Sequence, residues 1–134
     1  MRVLLVGLMI GLISGALLGA MGYRTVRQWY LHPEAVMTLL QTNLAGLKGQ
    51  QEAGQCVGQP LALRLFRLEA VSSEIVDAFL APGAEDERFA DLARKLEATV
   101  ARLRMNPPTD CAGLERARAE IGQACKACHD LYRG

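Results

Sequence analysis

The sequence predicts an all-α protein: an antiparallel up-down-up-down four-helix bundle preceded by one hydrophobic helix. Three observations predict it. Residues 3–22 carry no charge. Four later segments repeat apolar residues at intervals of three and four, the period of a helix face. Breaker-rich joints separate those segments, and nothing reads as strands. Composition agrees, with few aromatics and many Ala, Leu, Arg and Glu. The chain has 134 residues, enough for one domain and a targeting or membrane segment. A formal net charge of +1 gives no reason to expect a nucleic-acid partner. The expected divisions are a signal-anchor or transmembrane segment at 1–22, a juxtamembrane linker at 23–32 and a four-helix domain at 33–134.

Val3 to Gly22 has the length of a bilayer-spanning helix. A cleaved secretory signal is the alternative, with Arg2 as its basic start and Ala20-Met21-Gly22 as a small-x-small cleavage site. Two features point to retention. The run exceeds an ordinary signal core. Gly7, Gly11, Gly15 and Gly19 also form a stripe of GxxxG steps that lets another membrane helix approach closely. Tyr23, Trp29 and Tyr30 suit a headgroup layer or ordinary packing beneath the bundle. Arg24 and Arg27 outnumber Arg2, against the positive-inside rule for an N-in anchor.

The first amphipathic helix is expected from Pro33 to Lys48, with Pro33 at a favoured first position. Its stripe is Val36, Met37, Leu40, Leu44 and Leu47. A loop follows from Gly49 to Pro60. The second helix is expected from Leu61 to Leu80, with Leu61, Leu65, Leu68, Ser72, Ile75 and Phe79 as a seam. Ala81-Pro82-Gly83 stops it. The third runs from Glu85 to Arg104. Glu85, Asp86 and Glu87 complement the dipole at its start, and Arg102 and Arg104 at its end. Phe89, Leu92, Leu96, Val100 and Leu103 form its stripe. Asn106-Pro107-Pro108 breaks the chain, and Thr109 or Asp110 caps the fourth helix. That helix sets Leu114, Ala117, Ile121, Ala124, Cys128 and Leu131 on one face.

Cys125-Lys126-Ala127-Cys128-His129 carries the chemistry. C-x-x-C-H is an attachment signal for haem c. Two thiols at i and i+3 reach both vinyl groups of one porphyrin, and the following His supplies an imidazole to the iron. A thioredoxin-like pair belongs beside a βαβ pattern, which is absent. A zinc site from Cys56, Cys111, Cys125 and Cys128 has enough ligands but lacks a second ligand arm. Haem c is attached outside the cytoplasm in bacteria, so the chain is expected to be exported.

Up-down-up-down order sets the start of the first bundle helix beside the end of the fourth. Met37, one turn into that helix, is the expected sixth ligand. His32 and an open distal face are the alternatives, and Met on an apolar stripe is also ordinary core. Met105 falls at the far end, and Met1, Met9 and Met21 in the N-terminal segment. Cys56 and Cys111 fall in joints at the end opposite the haem, so an oxidising compartment permits a disulfide between them. Lys126, Arg133 and Lys48 form a solvated face or part of a docking surface. Tyr132 packs on the porphyrin or closes the core. No catalytic triad, phosphate loop or carboxylate pair is evident, so the chain is not expected to be an enzyme.

The stretch Ile121-Gly122-Gln123-Ala124-Cys125-Lys126-Ala127-Cys128-His129-Asp130-Leu131-Tyr132-Arg133 closely resembles the C-terminal signature of class II cytochromes c, the cytochrome c-prime family. The resemblance covers about residues 32–134. It implies a bundle with covalent haem c, His129 as proximal ligand and Arg133 in the proximal pocket. Family members with Met on the first helix are low-spin electron carriers; those with an apolar residue there bind nitric oxide or carbon monoxide. Glu34-Ala35-Val36-Met37 is similar to the low-spin pattern. Pro33 stands where members often carry Arg, and the hydrophobic N-terminus and the cysteines at 56 and 111 add to the family plan.

The expectation is therefore a monohaem electron carrier on the periplasmic side of the bacterial inner membrane. It is anchored through residues 3–22 and serves redox partner proteins or a membrane electron-transfer complex as a subunit. A soluble periplasmic form after signal cleavage is the alternative location. Five-coordinate gas binding is the alternative function. Homodimerisation stays open, as do the partner and the potential.

Overall fold

A computed structural model describes residues 2–26, 32–80 and 83–132. Those residues form six helices and no strand: α1 (Arg2–Val26), α2 (His32–Glu52), α3 (Gln59–Ser72), α4 (Ile75–Phe79), α5 (Glu87–Met105) and α6 (Cys111–Tyr132). The chain divides into two compact units, Met1–His32 and Pro33–Gly134.

In the first unit α1 is a helix of 25 residues. Its apolar side chains Leu12, Ile13, Leu17 and Leu18 are exposed. A Cβ added at Gly7, Gly11, Gly15 or Gly19 would meet open space. Among the described residues no helix is long and apolar enough to cross a membrane, so the transmembrane helix expected over 3–22 gains no support there. The side chains of residues 2–6, 8, 10 and 24–26 lie outside the description, as do Met1, Arg27, Trp29 and Tyr30.

The second unit is built on a leucine-rich core. Leu47, Leu61, Leu65, Leu68, Val100, Leu114 and Ile121 are each at most 1% exposed. Removing a side chain of this size from water stabilises the fold by roughly 1.5–3 kcal/mol. The closest backbone approaches are of α5 to α3 and to α6, while α2 stands further off. One cavity is bordered by the start of α2, the end of α4, the start of α5 and the end of α6. The helices therefore alternate in direction, with α3 and α4 together counting as one arm of the bundle.

Local chemistry sets the boundaries. Gly58, at φ 85°, turns the chain into α3, where Pro60 occupies the first turn. Asp86 caps α5 by accepting from the Phe89 N–H at 2.9 Å. Of the two residues expected to cap the last helix, Asp110 does so, accepting from the Gly113 N–H at 2.5 Å. Lone helix-start groups are satisfied in this way. Helix α2 runs one turn past the expected Lys48.

The expected single helix over 61–80 is two. Ser72 and Ser73 hydroxyls donate back to the Glu69 and Ala70 carbonyls, both at 2.9 Å. The Glu74 N–H bonds the Val71 carbonyl, a three-residue step. Such side-chain competition and a 3₁₀ step interrupt the α-helical ladder. The phase slips with it. Ala78 takes the buried place expected for Phe79, which is 38% exposed.

The seams also differ from expectation in a consistent way. On α2 the buried positions are Val36, Leu40, Asn43, Leu47 and Gln50, leaving Met37 and Leu44 half-buried on the flank. The Asn43 amide is satisfied by donating to the Leu39 carbonyl at 2.8 Å. On α5 Ala93 takes a buried place and Leu92 is half-buried. On α6 the buried run stops at Ile121; Ala124 and Cys128 are half-buried and Leu131 is exposed. Opposite the flank of α2 that carries Met37 and Leu44, the Arg64 guanidinium lies where a Cβ on residue 46 would sit, so a larger residue there would displace that side chain. Arg118 bonds the Gln51 side chain and ties α6 to α2.

Candidate haem site

Met37, Leu44, Leu92, Ala124 and Cys128, the half-buried flank residues, all border one cavity. A first cavity of about 330 Å³ is lined by Met37, Leu44, Leu92 and Ala124, together with Cys125, Cys128 and His129. Its remaining walls are mostly core aliphatic side chains. A second of about 620 Å³ opens at the end of the bundle, where Glu34, Phe79, Asp86, Phe89 and Tyr132 join Met37, Cys128 and His129. Met37, Gln41, Cys128 and His129 border both. Apolar walls with a few convergent polar groups are what a cofactor pocket looks like.

Helix α6 positions three of these groups by its own geometry. Cys125 and Cys128 lie one turn apart on one face, and His129 follows. Both cysteines are free thiols and half-buried. Burial pushes the Cys125 thiol above its ordinary value, and Cys128 beside it adds to the shift; burial alone raises Cys128. The other two cysteines are joined: Cys56 and Cys111 form a disulfide with Cα atoms 4.9 Å apart, linking the α2–α3 joint to the start of α6. A four-cysteine zinc site is thereby removed, and among the described residues no three His, Cys, Asp or Glu side chains gather as a metal site would need.

The remaining candidates fall as follows. His32 is half-buried at the first position of α2 and falls in the first unit. Met105 is exposed at the end of α5, and Met9 and Met21 are exposed in the first unit. Arg133 lies outside the described residues. Lys126 pairs with Asp130 at 2.6 and 2.7 Å on the surface. Lys48 pairs with Glu52 and borders neither cavity.

Tyr132 does something the sequence left open. Its hydroxyl donates to the Asp86 carboxylate, 3.0 Å from each oxygen. Its ring meets Phe89 edge-on, with centroids 5.2 Å apart at 83°. Phe89 in turn lies 5.8 Å from Phe79. Gln41 is a cavity residue that sequence reasoning passed over, and Asp86 and Phe79, expected at a helix start and in a core seam, border the outer cavity too. Gln41 had a signal, one helical turn beyond Met37 on the same face.

Free thiols one turn apart, an adjacent imidazole and an apolar slot define the class: a protein with covalently attached haem. The comparison with known families agrees. The family model described as Cytochrome C' matches residues 34–133, and the chain belongs to that family. Its cofactor is covalent haem c with iron, and the family consists of c-type haem proteins, typically periplasmic, that serve electron transfer or gas binding. No curated protein and no solved structure matches the chain. The residues present fit the group. Cys125 and Cys128 are not part of the Cys56–Cys111 disulfide, and both line the apolar slot beside His129.

Proposed function

We propose that this protein is a monohaem electron carrier in which Cys125 and Cys128 hold the porphyrin and His129 and Met37 ligate the iron. Each thiol would add its sulfur and hydrogen across one vinyl group, an addition with no leaving group. The iron, when bound, supplies a one-electron couple. His129 donates an imidazole from α6 and Met37 a thioether from α2, a pair that favours a low-spin centre with a raised potential. Leu40, Leu44, Leu92, Leu96 and Ile121 line the slot and exclude water from it. The observation that carries this reading is that Met37 borders both cavities together with His129.

Replacing Met37 with Ala tests it. The carrier reading expects a low-spin protein that becomes high-spin and acquires carbon monoxide binding in the ferrous state. A wild-type protein already high-spin, and unchanged by the substitution, rejects it in favour of five-coordinate gas binding.

A membrane tether is a second reading, favoured by one observation. Helix α1 includes twenty successive uncharged residues, and its Leu12, Ile13, Leu17 and Leu18 are exposed. On this reading the helix holds the carrier at the periplasmic face beside a membrane redox complex. Release of the full chain from membranes by high salt alone would refute it.

A further inference from the structure

The C-terminal turn of α6 carries His129, and helix ends fray unless something ties them down. Here two contacts do so. Tyr132, one turn after His129, reaches the Asp86 carboxylate at 3.0 Å to each oxygen. Asp86 is itself fixed, since one of the same oxygens caps α5 through the Phe89 N–H. The Tyr132 ring also stands edge-on against Phe89. Asp86, Phe89, His129 and Tyr132 all border the outer cavity. One carboxylate thus closes the start of α5 and holds the end of α6.

We propose that the Tyr132–Asp86 hydrogen bond is a latch that positions His129, so that α5 sets where the imidazole sits. Tyr132 and Asp86 act through His129 and are positioning residues. The inference rests on His129 being an iron ligand, and deepens that reading.

Three variants of the holoprotein separate a latch from general stability. Tyr132→Phe removes the hydroxyl and keeps the ring against Phe89. Asp86→Ser keeps an N-cap but is one bond shorter and loses Tyr132. Asp86→Asn keeps both acceptor roles and should behave as wild type. Loss of the latch should raise amide hydrogen exchange over Ala127 to Leu131 about fivefold, with exchange in the middle of α5 unchanged. It should also shift the ferric electron-paramagnetic-resonance g values, which follow the axial ligand's orientation. Both changes are expected in Tyr132→Phe and Asp86→Ser and in neither reading of Asp86→Asn. Wild-type exchange and g values in Tyr132→Phe would overturn the proposal. So would an Asp86→Asn protein as altered as Asp86→Ser, since the carboxylate charge would then be responsible. If His129→Gly leaves the haem spectrum unchanged, the ligand assignment fails by itself, and the exchange measurement still reports on the latch.

Discussion

Met37 on α2 and His129 on α6 border the same two cavities, from helices at opposite ends of the haem domain's sequence. Neither belongs to the buried seams. Met37 sits on the flank of α2, and His129 is exposed at the mouth. The slot lies where α2 stands away from the other helices. The core seals the bundle, and the flanks are left for the cofactor.

Attachment through two thiols has a direct consequence. Replacing both Cys125 and Cys128 with Ala should let acid–acetone extract the haem completely, while the wild type retains it. Each single variant should keep its haem through one remaining link, with a shifted ferrous absorption band. Retention in the double variant would refute the attachment.

The Cys56–Cys111 disulfide closes a long loop, with a sequence separation of 55. Loop-closure entropy for that length is worth about 4 kcal/mol. Replacing both with Ser should lower Tm by about 20 °C for a domain of this size. Because the bond lies away from the cavities, the haem spectrum of the folded variant should not change. Thermal unfolding followed at the haem band and by helix signal checks both statements.

Core and cavity positions should respond differently to truncation. Leu65 is 0% exposed, and Leu65→Ala should cost about 3 kcal/mol. Leu44 is half-buried beside the slot. Leu44→Ala should cost less stability and show itself in the haem spectrum. Urea unfolding and ferric spectra of the two variants, taken together, test this division.

The Tyr132 phenol holds its proton above the usual tyrosine range, through partial burial first and the Asp86 carboxylate second. The folded protein therefore binds that proton more tightly than the unfolded chain does. Its contribution to stability is fully present below about pH 10, the unfolded value, and declines as pH rises through the folded one. Stability of the wild type should fall across that alkaline window. Tyr132→Phe should lose the part of the slope that Tyr132 contributes, as denaturant midpoints against pH will show.

The helical class was legible because apolar spacing and breakers are local. The approximate extents of α2, α5 and α6 follow from the same signals. The break at Ser72–Ser73 was not legible, because two serines that donate to their own carbonyls look like an ordinary polar interruption. Flank and seam were also confused. Met37, Leu44 and Leu92 are apolar at helical spacing, and only the helix packing shows that they face a slot rather than a core neighbour. Within the site, Cys125-x-x-Cys128-His129 could be found by spacing alone. Asp86 could not, because its link to Tyr132 spans 46 residues and exists only once α5 and α6 meet.

The measurement that bears most directly on the account is the visible spectrum of the purified holoprotein, ferric and ferrous, with and without carbon monoxide. Ligation by His129 and Met37 predicts a low-spin spectrum that carbon monoxide does not move, and a weak far-red sulfur-to-iron band in the ferric form. A high-spin spectrum that shifts on carbon monoxide would contradict it, leaving Met37 as a wall of the cavity and the iron open to gases.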